Sequence, residues 1–154
     1  MRLNIILTLI LIFVTNCGYK VVNQSYFDEY KIDKLNISGD KKINYLLRNK
    51  LKWNNKDYSK SINLDITNNK VKNIKEKNIQ NNITKYEILI TVNVNFSILG
   101  ENKSGQFVVQ RTGNYSVGGR HGITLSNEKK LVNNMVEEIS EEIFKSLALS
   151  LYDL

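Results

Sequence analysis

The sequence predicts an α+β domain: a two-layer sandwich in the order β-α-β-β-β-α, with a mostly antiparallel four-stranded sheet and two helices on one face. Three observations carry this expectation. Tyr86 to Ser97 places Tyr86, Ile88, Ile90, Val92, Val94 and Phe96 at every second position, with Glu87, Thr91, Asn93 and Asn95 between them. That alternation describes a strand packed on one side and wet on the other. Near the C-terminus, Leu131, Met135, Ile139, Ile143 and Leu147 form an apolar stripe at helical spacing, widened by Val132, Val136 and Ala148. Between the two, "GENKSG" (100–105) has the composition of a hairpin loop.

The remaining elements follow in chain order. Residues 30–37 ("YKIDKLNI") alternate at Tyr30 and Ile32 and again at Leu35 and Ile37, so the strand has a break in its alternation near Asp33. Ser38-Gly39-Asp40 is a turn ending in a helix-capping residue. Ile43, Leu46, Leu47 and Leu51 then share one face of a helix over about 41–53, with Lys41, Lys42, Arg48 and Lys50 elsewhere around it. Ser61 to Thr67 alternates through Ile62, Leu64 and Ile66. Two polar stretches follow the pattern of loops, 54–60 and 68–82; the second reads either as a long connection or as strand extensions with polar faces. After the hairpin loop, Phe107, Val109, Tyr115 and Val117 keep one register, and Ser126-Asn127 opens the last helix.

Residues 1–16 are of a different kind. A basic start at Arg2, an apolar run from Ile5 to Val14 and a small polar ending make a secretory signal peptide. The run is well short of the roughly 20 residues a membrane-spanning helix requires. The only cysteine of the chain, Cys17, stands directly after it. Exported proteins use cysteine mainly in pairs, so a single thiol at this place asks for another chemistry. Val14-Thr15-Asn16-Cys17 resembles the lipobox of bacterial lipoproteins, whose cysteine becomes the acylated N-terminus; Asn16 departs from the usual small residue. Two or more acyl chains hold a protein firmly on a bilayer. The expected organisation is therefore a signal peptide over 1–16, a lipidated tether over 17–29 and one domain over 30–154, with Gly18 after the cysteine favouring the outer membrane.

The 154 residues carry a net charge of +7, or +6 once Arg2 leaves with the leader. The cations are spread along the chain rather than clustered. Such a balance suits an anionic neighbour such as phosphate or acidic lipid, and no nucleic-acid partner is expected. Catalytic motifs are missing. The single histidine, His121, lies in the glycine-rich "VGGRHGI", which is read as a turn and has neither a Walker lysine nor the strand-turn-helix glycine signature. One His with one Cys cannot build a tetrahedral zinc site. The glutamates of the last helix fall mainly off its apolar stripe. No enzymatic activity, no cofactor and no metal are expected.

The arrangement as a whole resembles the LPS-assembly lipoprotein family LptE. The matching parts are the lipobox leading into "CGYKVV", the strand and helix after it, the hairpin "YEILITVNVNFSILGENKSGQFVVQRTGNYSV" and the terminal "SNEKKLVNNMVEEISEEIFKSLALSL". The resemblance implies a protein held on the periplasmic face of the outer membrane. Such a protein plugs and supports the LptD β-barrel and assists lipopolysaccharide delivery to the surface. It also directs attention to Lys103, Arg111 and Arg120, expected at the hairpin end, as phosphate contacts. A second function class is a lipid-anchored periplasmic binding module for an apolar or anionic ligand. Its site would be lined by tyrosines from Tyr26, Tyr30, Tyr45, Tyr58, Tyr86 and Tyr115.

Overall fold

The computed structural model describes residues 30–51 and 60–152. The leader, Cys17 and the tether fall outside the described residues, as do Trp53 and most of the 54–60 stretch. The elements run β1 (Tyr30–Ser38), α1 (Lys41–Lys50), β2 (Lys60–Lys77), β3 (Ile83–Ile98), β4 (Ser104–Ser116) and α2 (His121–Tyr152). The sheet order is β1-β2-β3-β4. β1 and β2 are parallel because α1 carries the chain back between them, whereas the two hairpins make β2, β3 and β4 antiparallel. This is the β-α-β-β-β-α order the sequence predicts.

Burial explains the layers. Ile62, Leu64 and Ile66 of β2 and Ile88, Ile90, Val92, Val94 and Phe96 of β3 point to one side. They meet Ile43 and Leu47 of α1 and Val132, Met135, Val136, Ile139, Ile143 and Leu147 of α2 in a single core. Among the described residues no layer covers the opposite face, which presents Asn63, Asp65, Thr67, Thr91, Asn93, Asn95, Gln106 and Gln110. The break near Asp33 is a register shift between Ile32 and Lys34, which returns Leu35 and Ile37 to the core side.

The end of α1 and the start of α2 differ from the sequence expectation, and of the two readings of 68–82 the strand extension is the one that holds. α1 stops at Lys50, with Leu51 as its C-cap. β2 runs on to Lys77, so 68–77 is a strand extension, and only Asn78 to Asn82 turn. That turn is held by the Asn78 side chain, whose Oδ1 accepts from Gln80 and Asn82 N–H at 3.1 and 2.9 Å, while Asn81 takes φ +63°. α2 begins five residues early, at His121, so this histidine is helical and the "VGGRHGI" turn ends at Arg120. Gly118 N–H donates to Thr124 Oγ1 at 2.9 Å and the Arg120 carbonyl accepts from Ile123 and Thr124, which supports the early turn without an apolar stripe.

Two glycines are required by close approach. Gly39 has φ +117°, and a Cβ there would lie 1.9 Å from the Asn68 carbonyl oxygen. Gly105 lies inside β4 rather than in the hairpin loop because the Phe96 ring of β3 crosses over it; a Cβ would stand 2.5 Å from that ring.

Candidate functional site

The strands place the three cations expected to act together in three different settings. Lys103 lies in the β3–β4 hairpin, with Nζ 3.4 Å from Glu101, a carboxylate that also holds Lys60 at 3.0 Å. The hydrogen bond from Lys60 keeps the Glu101 carboxyl below its ordinary pKa. Arg111 is in the middle of β4 on the helix side. Its Nη1 donates to the Gln110 carbonyl at 2.9 Å, and Nε and Nη2 each stand 3.6 Å from a carboxylate, Glu138 and Glu142 respectively. Arg120 is exposed at the far end of β4, in the link to α2. A 13-residue strand separates Lys103 from Arg120, about 40 Å at roughly 3.3 Å per residue. The expectation that all three sit at the hairpin end is therefore corrected, since β4 carries Arg111 and Arg120 away from it. Cys17 lies outside the described residues.

The side chains that the fold does bring together are elsewhere, and sequence reasoning missed them. At the end of the sheet where β1 stops and α2 starts, Lys70 and Lys72 continue the inward-facing alternation of Ile62, Leu64 and Ile66. Lys72 Nζ donates to Glu128 Oε2 at 2.8 Å and lies 4.2 Å above the Tyr86 ring and 5.3 Å from that of Tyr115. The two rings stack at 5.6 Å, and Tyr115 Oη donates to the same Glu128 oxygen at 2.7 Å. Lys70 stands 3.5 Å from Asp40 and 4.0 Å from Glu128. The available signal was the parity of residues 62–72, overlooked because Asn68, Lys70 and Lys72 are polar.

Electrostatics follow from this crowding. Burial opposes ionisation of Glu128, but hydrogen bonds from Lys72 and Tyr115 and the charges of Lys72 and Lys70 outweigh it, and the carboxyl lies below its ordinary value. Burial similarly disfavours the charged form of Lys72, yet its bonds to Glu128 and Tyr115 raise it. The Tyr115 phenol is raised by burial and by Glu128. Asp40 caps α1 by accepting from Lys42 and Ile43 N–H at 2.9 and 3.0 Å. Burial pushes its carboxyl up, but those bonds and Lys70 bring it below normal. The cluster is thus self-neutralised: it ties the β2 overhang to the starts of α1 and α2. Around it, Arg120, Lys129 and Lys130 are exposed and have no acidic partner among the described residues.

Two further arrangements bear on function. The uncovered sheet face carries a shallow trough lined by Asp65, Asn95, Ser97, Ser104 and Gln106, beside Phe96 and Gly105. Tyr26 and Tyr58 lie outside the described residues, and among the described ones the tyrosines do not converge on a ligand site: Tyr30 is core, Tyr45 is exposed on α1, and Tyr86 and Tyr115 clasp Lys72. Among the described residues no helix is long and apolar enough to cross a membrane, and no group of three metal-ligating side chains gathers.

No family model and no curated protein matches the chain. Solved structures do. Rare lipoprotein B from Shewanella oneidensis superposes with a TM-score of 0.59 at 19% identity, covering 79% of this chain and 98% of its own. A lipoprotein from Caulobacter crescentus gives 0.56 at 12% identity, covering 84% of this chain and 95% of its own. The chain shares the fold of these lipoproteins across essentially their whole length.

Proposed function

We propose that this protein is an LptE-type lipoprotein, held by acylated Cys17 on the periplasmic face of the outer membrane. There it plugs and supports an LptD-type β-barrel and assists lipopolysaccharide transport to the surface. The observation that carries this reading is the shared fold with rare lipoprotein B over nearly all of that protein. The lipobox-like Val14 to Cys17 and the resemblance read along the sequence agree with it.

Geometry gives the proposal physical content. Tyr30, where the tether enters the domain, pairs with Lys60 at the same end as the β3–β4 hairpin, since Leu99 N–H donates to the Ser61 carbonyl. From there β2 runs 18 residues outward, about 60 Å of extended chain. The cations Arg120, Lys129 and Lys130 stand at the end of the sheet far from Tyr30, and we assign them as the contacts for lipid A phosphates, whereas Lys103, at the other end, is already paired with Glu101. Arg111 is already engaged by Glu138, Glu142 and the Gln110 carbonyl. A rigid insert with a largely polar sheet face suits a barrel lumen, which is polar. The work is scaffolding rather than catalysis: the titratable groups that the fold gathers are used up in pairing one another.

Affinity purification of the tagged full-length chain from native membranes in mild detergent tests this. The barrel should co-purify in near-equal amount, and depletion of the chain should lower barrel abundance. A protein that elutes alone, and whose loss leaves the barrel unchanged, contradicts the proposal and favours a self-sufficient binding module.

A further inference from the structure

We infer that the outer edge of β4 accepts an extended segment of the barrel partner as a fifth strand, with Arg111 capping that edge until the segment arrives. The partner's identity rests on the function proposed above; the edge geometry stands without it.

The exposed edges of this sheet are not treated alike. Natural sheets guard their edges with bulges, lysines and short strands. β1 is nine residues long, breaks register at Asp33 and carries exposed Lys31 and Lys34. The overhang of β2 beyond β1 carries Lys70, Lys72, Lys75 and Lys77. β4 has none of this. Its 13 residues pair with β3 without a register shift, and they include no lysine, no proline and one charge, Arg111.

Which backbone groups face outward follows from the bonds at the strand's ends. The Lys103 carbonyl accepts from Ile98 N–H, and Val117 N–H donates to the Thr84 carbonyl, so odd-numbered residues face β3. The Gln110 and Ser116 carbonyls are met instead by side chains, Arg111 Nη1 at 2.9 Å and Asn127 Nδ2 at 3.0 Å. Even-numbered residues therefore turn N–H and C=O to the open side, and no described backbone group meets them. Gln110 is at the centre of this row. Its cap is replaceable, because Arg111 also lies 3.6 Å from each of two carboxylates. An arriving N–H can take the Gln110 carbonyl while the guanidinium closes on Glu138 and Glu142 at full charge-assisted hydrogen-bond distance.

Charge says what kind of segment fits. Side chains of a fifth strand that point to the helix layer would run along the flank of α2, where Glu138 and Glu142 offer two carboxylates to one arginine. A basic residue at that position completes the balance. A second copy of this chain, paired about the middle of β4, would bring two such acidic flanks together. Backbone pairing supplies the affinity and the side-chain row the register, as in other strand additions.

The test uses the full-length chain in its native membrane with a photo-crosslinking residue at Gln110 or, as control, at Lys31 on the opposite edge. Backbone amide exchange is measured on the purified complex and on the isolated chain. A barrel adduct at least fivefold stronger from Gln110 than from Lys31 supports the inference. So does tenfold or greater slowing of the Val108, Gln110 and Thr112 amides in the complex alone. A barrel adduct from Lys31 but not Gln110 overturns the inference and leaves the proposed function standing. No barrel adduct from either position overturns both. An adduct with a second copy, or Val108, Gln110 and Thr112 amides already slow in the isolated chain, overturns the open-edge assignment.

Discussion

Asn68 is one of only two buried polar side chains in the described domain, and replacing it by Leu isolates what a hydrogen-bonded junction contributes to this fold. Its Nδ2 donates to the Ser38 carbonyl at 2.9 Å and to Asn44 Oδ1 at 2.6 Å, and its Oδ1 accepts from Asp40 N–H at 3.0 Å. One side chain thus joins the end of β1, the cap of α1 and the middle of β2. Leucine keeps the volume and removes all three bonds. The stranded partners are only partly buried and regain some water, so each loss falls at the low end of the usual range, about 1 kcal/mol. The added apolar burial returns about 1 kcal/mol. The net cost of Asn68→Leu is then about 2 kcal/mol, or a Tm lowered by roughly 8 °C for a domain of this size. A thermal melt followed by circular dichroism measures it, with Asn69→Leu, on the exposed face next door, as a control expected within about 2 °C of the parent. An Asn68→Leu protein that melts at or above the parent temperature would refute the reasoning. Apolar patterning alone would then suffice to join β1, α1 and β2.

Other outcomes follow from the same geometry. Ile139 is fully buried at the centre of the α2 stripe, so Ile139→Ala should cost about 2–5 kcal/mol, and Ile139→Asp should prevent cooperative folding; chemical denaturation checks both. Glu128 and Asp40 have folded-state pKa values below their ordinary 4.5 and 3.8. Their contribution is present above those values and is lost as pH falls through the folded ones, so stability should decline below about pH 4; Glu128→Gln should flatten that decline in pH-dependent melts. Asp40→Ala removes the cap of α1 and should cost about 1 kcal/mol, read by the same denaturation. Cys17→Ala should leave the protein unacylated and shift it out of the outer-membrane fraction on density fractionation.

Much of this fold was legible because apolar residues repeat at periods of 2 and 3.6. β3 shows six alternating apolar side chains and α2 five stripe residues, and the type of each element and its buried face were legible from them. The break at Asp33 was legible for the same reason, as an interruption in parity. Where burial no longer governs, the sequence left the 68–82 reading open and placed the start of α2 too late. The 68–77 extension of β2 is held by pairing with β3 and by lysine contacts, neither of which leaves an apolar pattern. The first turn of α2 is held by Thr124 and the Arg120 carbonyl while Ile123 and Leu125 stay about half exposed, so His121 gave no helical signal. The Lys72–Tyr86–Tyr115–Glu128 cluster joins four elements across more than 50 positions, and such cross-strand proximity exists only once register is fixed. Lys103, Arg111 and Arg120 fall close together in sequence, yet an extended strand is the conformation that separates them furthest.

The central claim is that a lipid tether at Cys17 holds this small insert in its place outside the cytosol. Intact-mass analysis of the protein extracted from native membranes tests it most directly. The expected product is a mature chain beginning at Cys17 and heavier than that polypeptide by its attached acyl groups. A chain still beginning at Met1, or a mature chain carrying no acyl mass, would contradict it.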